Sequence, residues 1–193
     1  MNADDFLKQC KTREYSQEDI ILIKKAITLA QHHLQDEIRL SRDSFLDHNL
    51  RVANILVENN SPPEMVIAAL LHSLLKQTSP EKIKQEFGQE ILNLLEGTTE
   101  LNAIKVKNKQ IDPKNLRKML LTTLKDVRVI IIKLAHKLDN LQSVHVFPPQ
   151  EQQRLAEEVL EIYAPLASRL GVEKIKTELE NTAFQILHPQ KYQ

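Results

Sequence analysis

At 193 residues the chain is long enough for one domain with a full core, and 41% hydrophobic against 27% charged residues excludes a disordered polymer. Lysine plus arginine and aspartate plus glutamate both total 26, so no global field directs the chain to nucleic acid or an anionic membrane. The single cysteine, Cys10, excludes an internal disulfide and fits a reducing, cytoplasmic compartment; no apolar run approaches the ~18 residues of a membrane span.

Only three glycines, among many Leu, Ile, Lys, Glu and Gln, favour helix throughout, so the expected fold class is all-α. Residues 1–15 read as a polar, fraying tail. Ser16 followed by Asp19 resembles a helix cap, opening a face of Ile20, Ile23, Ile27 and Ala30. A polar loop near 36–47 leads to His48 and a second stripe of Leu50, Ala53, Leu56 and Val57. Ser61-Pro62-Pro63-Glu64 opens a helix with serine as cap, apolar on most sides and therefore central and buried.

Ser79-Pro80-Glu81 starts a short helix, and Gly88 and Gly97 stand where C-caps would fall. Residues 98–113, with Lys105, Lys107 and Lys109, read as a solvated loop, followed by a helix over about 114–124. VRVIIIKL at 127–134 has β-branched content, but Val127, Ile130, Ile131, Leu134, Leu138 and Leu141 continue a 3.6-residue stripe too long for a strand. After Pro148-Pro149 a long helix runs to about 170, capped by Gly171, and a last helix carries Val172, Ile175, Leu179 and Ala183. The expected organisation is a tail over 1–15, a helical domain over 16–147 and connector helices over 148–193 packed on it.

A histidine at the end of an apolar helix is usually a packed, hydrogen-bonded residue. Here the frame around the histidines matters: HNLRVANIL (48–56), AALLHSLL (68–75), EFGQEILNLLEGTTEL (86–101), NLRKMLL (115–121), DVRVIIIKLAHKLDNL (126–141) and the segment from EIYAPLASRLG to LHPQKY (161–192) occur in this order. Together they resemble the HD-type hydrolase domain of the RelA/SpoT family, which makes and degrades the alarmone (p)ppGpp. The resemblance covers roughly residues 17–192, and its last segment is similar to the helical connector preceding the family's nucleotide-synthetase domain.

The resemblance implies one divalent metal, usually manganese, held by two histidines and two aspartates. His48 and His72 fall on the histidine positions; Ser73 replaces the first aspartate and His136 the second. Lys76 and Gln77 occupy the places of a Glu-Asp pair that activates water. Hard manganese prefers carboxylate oxygens, whereas three histidines form a recognised zinc geometry. The expectation is no bound cofactor, or, if a metal is held, zinc or another divalent transition metal rather than manganese. Lys76 suits a phosphate clamp and not a base, because a nearby phosphate stabilises its charged form. Asp139 is a candidate for a rescuing acid, but its expected place is the surface.

On the nucleotide side, Arg39 and Ser41 match the family's arginine and serine that stack on and hold guanine, with Leu40 in place of the lysine between them. Asn140 and Ser143 match its asparagine and hydroxyl residue. The resulting expectation is a RelA/SpoT-like domain with a degenerate hydrolase site, acting in regulation or guanine-nucleotide sensing, its connector helices relaying to a synthetase domain or protein partner. Two alternatives stand beside it: an active (p)ppGpp 3′-pyrophosphohydrolase with a three-histidine metal, and a purely structural helical interaction module.

Overall fold

The computed structural model describes residues 2–34, 36–102 and 125–191. Asn2 caps the first helix, α1 (Ala3–Lys11), by accepting the Asp5 amide at 2.8 Å. Ala3–Lys11 are therefore helical and not part of a fraying tail. Phe6 and Cys10 lie four residues apart on one helical face and are fully buried, which ties α1 to the core. The polar residues that suggested a tail occupy the other face.

α2 (Gln17–Leu34) begins at the Ser16–Asp19 box, where the Ser16 hydroxyl takes the Asp19 amide and the Asp19 carboxylate takes the Ser16 amide at 2.9 Å. α3 (Phe45–Glu58) starts three residues before His48, with Ser44 as its cap. α4 (Pro63–Leu71) is buried from Met65 through Leu71 and packs against α2, α3 and α6. Pro62, and not Ser61, holds its N-cap position, without a side-chain bond. A short 3-10 turn (Leu74–Lys76) leads to α5 (Pro80–Phe87), capped by the Ser79 hydroxyl.

α6 (Gln89–Asn102) extends through 98–102, which the sequence assigned to a loop; the Lys105–Lys109 run and the helix expected at 114–124 lie outside the described residues. Gly97 is no C-cap. It sits inside α6, where an added Cβ would stand 2.9 Å from Val129 Cγ2, so its role is close approach of α6 to the next helix, α7 (Val127–Gln142). The VRVIIIKL segment is the first half of α7, and of its periodic stripe Ile130, Leu134, Leu138 and Leu141 are buried, while Val127 is exposed and Ile131 half-buried.

α8 (Pro149–Glu158), a π turn (Val159–Tyr163) and α9 (Ala164–Arg169) form the helical run expected to 170, closed at Gly171 in the left-handed region (φ 72°). α10 (Glu173–Leu187) then packs back on α7, α8 and α9. Lys137 of α7 joins this layer through Glu158 (2.5 Å) and the ring of Tyr163 (4.7 Å to its centroid). Among the described residues there is no sheet, only an isolated bridge between Ile38 and Ser44, and no helix is long and apolar enough to cross a membrane. Among the described residues the fold is an all-α bundle, as the sequence predicts.

Candidate metal and nucleotide site

His48 comes from the first turn of α3, His72 from the C-cap of α4 and His136 from the middle of α7. Packing of α3 on α4 and α7 brings the three rings together, with centroids 4.9–5.3 Å apart. One ring nitrogen of each lies within 4.8 Å of the others, a spacing at which a single ion can be shared. The expected convergence of His48, His72 and His136 is therefore present.

Their hydrogen bonds decide which nitrogens remain. The Ala69 carbonyl can only accept, so His72 Nδ1–H donates to it at 2.7 Å. His48 Nδ1–H donates in the same way to Asp139 Oδ2 at 2.6 Å. Both rings keep an Nε2 lone pair. His136 has a looser support, the Asn140 amide 3.5 Å from its Nδ1. Burial pushes all three imidazoles below their ordinary value, His72 to about 3, with the His48 ring and Lys133 adding repulsion there. Neutral imidazoles are the form that ligates metal.

The histidines line a cavity of about 610 Å³ together with Glu37, Arg39, Phe45, Ser73, Gln77 and Lys133. Ser73 donates its hydroxyl proton to Asn49 Oδ1 at 3.0 Å, and Gln77 binds Glu37 at 2.8 Å. The Lys76 backbone belongs to the 3-10 turn, and its side chain lies outside the described atoms. Lys133 was missed by the sequence reading. It precedes His136 by three residues on the same helical face, and burial, reinforced by Lys137, lowers its amine to about 7. Its spacing from His136 was the available signal.

Asp139 is not a surface residue. It is 0% exposed, accepting from His48 and from Arg51 Nε at 2.5 Å, with Arg39 3.7 Å away. Burial alone would raise its carboxyl, but the His48 and Arg51 hydrogen bonds hold it below the usual range. The signal was again spacing, since Asp139 follows His136 by three residues and Arg51 follows His48 by three.

Arg39, Ser41, Asn140 and Ser143 line a second cavity, of about 390 Å³, with Leu40, Phe45, Phe147, Glu151 and Leu155. Arg39 and Phe45 wall both cavities. A tight loop presents them: Arg39 N–H binds the Asp43 carbonyl at 2.9 Å, and Arg42 adopts the left-handed region (φ 68°). The Arg39 guanidinium is held by Asn140 Oδ1 at 2.7 Å and Asp43 at 3.2 Å, and Ser41 by the Asp43 carboxylate. Asn140 thus has its oxygen on Arg39 and its amide toward His136, which makes it a link between the cavities.

The HD domain family model matches residues 26–173. A guanosine-3′,5′-bis(diphosphate) 3′-pyrophosphohydrolase of Aquifex aeolicus is 41% identical over 173 residues, 89% of this chain and 25% of that protein. The bifunctional (p)ppGpp synthase/hydrolase SpoT of Escherichia coli is 36% identical over 179 residues, 91% of this chain and 26% of that protein. A probable GTP pyrophosphokinase of Mycobacterium leprae is 37% identical over 181 residues, covering 93% of this chain and 23% of that protein. The chain thus spans about a quarter of the length of these curated relatives. The solved structure of a metazoan ortholog of SpoT shares the fold, with a TM-score of 0.59 and 18% identity over 91% of this chain and 97% of that one. With the family match over most of its length and these relatives, the chain belongs to the HD domain family, in its RelA/SpoT branch.

Proposed function

We propose that this domain binds a guanine nucleotide of the (p)ppGpp class across its two joined cavities and acts as a regulatory sensor of the stringent response. The observation that carries this reading is the shared wall. Arg39, fixed by Asn140 and Asp43, faces a base-sized cavity on one side and the histidine cavity on the other. A planar guanidinium suits stacking on a purine. Lys133 lies beside the histidines, where a diphosphate would stabilise the charged form of its amine. The named activities of the relatives support the same ligand class. The connector helices, tied to α7 through Lys137 and Glu158, suit relay to a synthetase domain or other partner.

The donor set fits a nitrogen-preferring ion such as zinc and does not fit manganese: three neutral imidazoles converge, while Ser73 and Gln77 bring no carboxylate to them. His48, His72 and His136 would hold that ion, which would supply Lewis-acid stabilisation of phosphoryl charge. The residues around it orient and bind: Arg39 the base, Lys133 the phosphates, Asn140 the Arg39 plane. Among the described residues, the carboxylate lining the histidine cavity is Glu37, one oxygen of which accepts from Gln77 Nε2 at 2.8 Å, and no acid pair follows Ser73 to take a proton from water. Manganese-dependent hydrolysis is therefore expected to be absent.

A second reading, slow (p)ppGpp 3′-pyrophosphohydrolysis with zinc, is favoured by the formed three-histidine cluster. Calorimetry with ppGpp and GDP, with and without zinc, combined with a pyrophosphate-release assay, tests both. Saturable binding without turnover supports the sensor. Zinc-dependent turnover would replace it with the enzyme, and no binding at millimolar nucleotide leaves the interaction module.

A further inference from the structure

Two helices face each other here with the same spacing used twice. On α3, His48 enters the cavity and Arg51, three residues on, reaches Asp139. On α7, His136 enters the cavity and Asp139, three residues on, lies beneath His48. The Asp139 carboxylate is fully buried, and each oxygen is occupied: Oδ1 by Arg51 Nε at 2.5 Å, and Oδ2 by His48 Nδ1 at 2.6 Å and Arg51 Nη2 at 3.2 Å. Arg39 adds a second cationic neighbour at 3.7 Å. A buried carboxylate is stable only with such partners, so the position is a built one.

An ionised carboxylate accepts and cannot donate. A proton on His48 is therefore held at Nδ1, and the lone pair is left at Nε2. We propose that Asp139 is the positioning residue of the histidine cluster: it fixes the His48 tautomer and, anchored by Arg51, holds the ring so that Nε2 stays available to the other two histidines. This rests on the metal reading of the cluster above. It extends that reading, because it explains what orients the His48 donor toward His72 and His136. Carboxylates behind ligating histidines typically strengthen metal binding 10–100-fold.

The test uses the full chain. Side-chain nitrogen NMR of the metal-free protein should report His48 as the Nδ1–H tautomer. Asp139→Leu should move it toward Nε2–H and weaken zinc and cobalt binding about 10–100-fold, with an altered cobalt absorption spectrum. Asp139→Asn keeps an acceptor, so it should keep the tautomer while losing part of the affinity; it also serves if the leucine variant does not fold. An Nε2–H tautomer in the unsubstituted protein, or unchanged tautomer and metal affinity in a folded Asp139→Leu, overturns the proposal. Absence of zinc and cobalt binding in the unsubstituted protein defeats the metal reading instead, and the tautomer then decides the positioning role by itself.

Discussion

The two joined cavities are built differently. The histidine cavity is lined from the interior of three packed helices, with His48 1% and His72 9% exposed, and the His48 and His72 rings are set by a buried carboxylate and a backbone carbonyl. The base-side cavity is lined by a tight loop, the end of α7 and the start of α8, and one of its walls, Leu40, is 89% exposed. Helix-borne groups hold geometry closely, whereas loops tolerate exchange of residues. Yet here the interior half carries the unusual residues, Ser73, Gln77 and His136, while the loop half presents Arg39 and Ser41 where the family resemblance places them. That division between the two halves is the pattern expected of the proposed sensor.

The most damaging challenge to the interior half is removal of one ring. His72→Ala should weaken zinc binding at least 100-fold, about 2.7 kcal/mol or more. In the unsubstituted protein, zinc at 100 times its dissociation constant should add about 2.7 kcal/mol of stability. A thermal shift with zinc that is equal in both proteins would show that the trio is not the site. The converse experiment combines Ser73→Asp, Lys76→Glu, Gln77→Asp and His136→Asp; gain of manganese binding would show that the helical frame still accepts the carboxylate chemistry.

Acid should strike the same half next. The unfolded chain protonates His48, His72 and His136 near 6.5, while the folded chain holds all three below that value. The unfolded state therefore binds more protons in this window, and stability falls as pH drops from about 6.5 toward the folded values, about 3 for His72. His72 alone should account for a loss of ~2 kcal/mol at pH 5 relative to neutral. Denaturant midpoints at pH 7.5 and 5 measure this, and His72→Gln should flatten the slope. An unchanged slope would mean that the ring is not held neutral.

Much of the fold was legible because periodicity and caps agree: the Ser16–Asp19 box, the Ser79 cap and the long stripe of α7 are local signals. The failures were tertiary. Phe6 and Cys10 looked like isolated apolar residues in a polar stretch, and only their packing on the core makes α1 a helix. Gly97 resembled a helix end, but the approach of Val129 explains it. At the site, the histidines were found from the motif frame, while Asp139 was expected at the surface and Lys133 was not singled out. Three-residue spacing from His136 puts both on the histidine face of the helix, but burial of the charge depends on partners from another helix, Arg51 and His48 for Asp139.

Arg39→Ala sharpens the contrast between the cavities, since this residue walls both. Loss of the stacking plane should weaken ppGpp binding by ~1 kcal/mol or somewhat more, in calorimetry at constant salt. Because Asn140 would lose the partner of its oxygen, a smaller decrease in zinc affinity should accompany it. A change confined to zinc, with nucleotide affinity intact, would move the base away from this loop.

The smallest expected effect lies at the loop's outermost residue. Leu40 is exposed and stands where the family resemblance places a lysine, so Leu40→Lys adds a cation at the mouth of the base cavity without disturbing packing. An exposed charge acting on a phosphate through water contributes only about 0.5 kcal/mol, and salt screens it over a Debye length of ~8–10 Å. Affinity for ppGpp should therefore rise two- to threefold at low salt, with little change near 0.5 M, while affinity for guanosine stays the same. A gain of equal size for guanosine would place the new side chain against the base and not the phosphates. No gain at any salt would put the phosphates wholly on the Lys133 side of Arg39, with the nucleotide running inward from the loop toward the histidines.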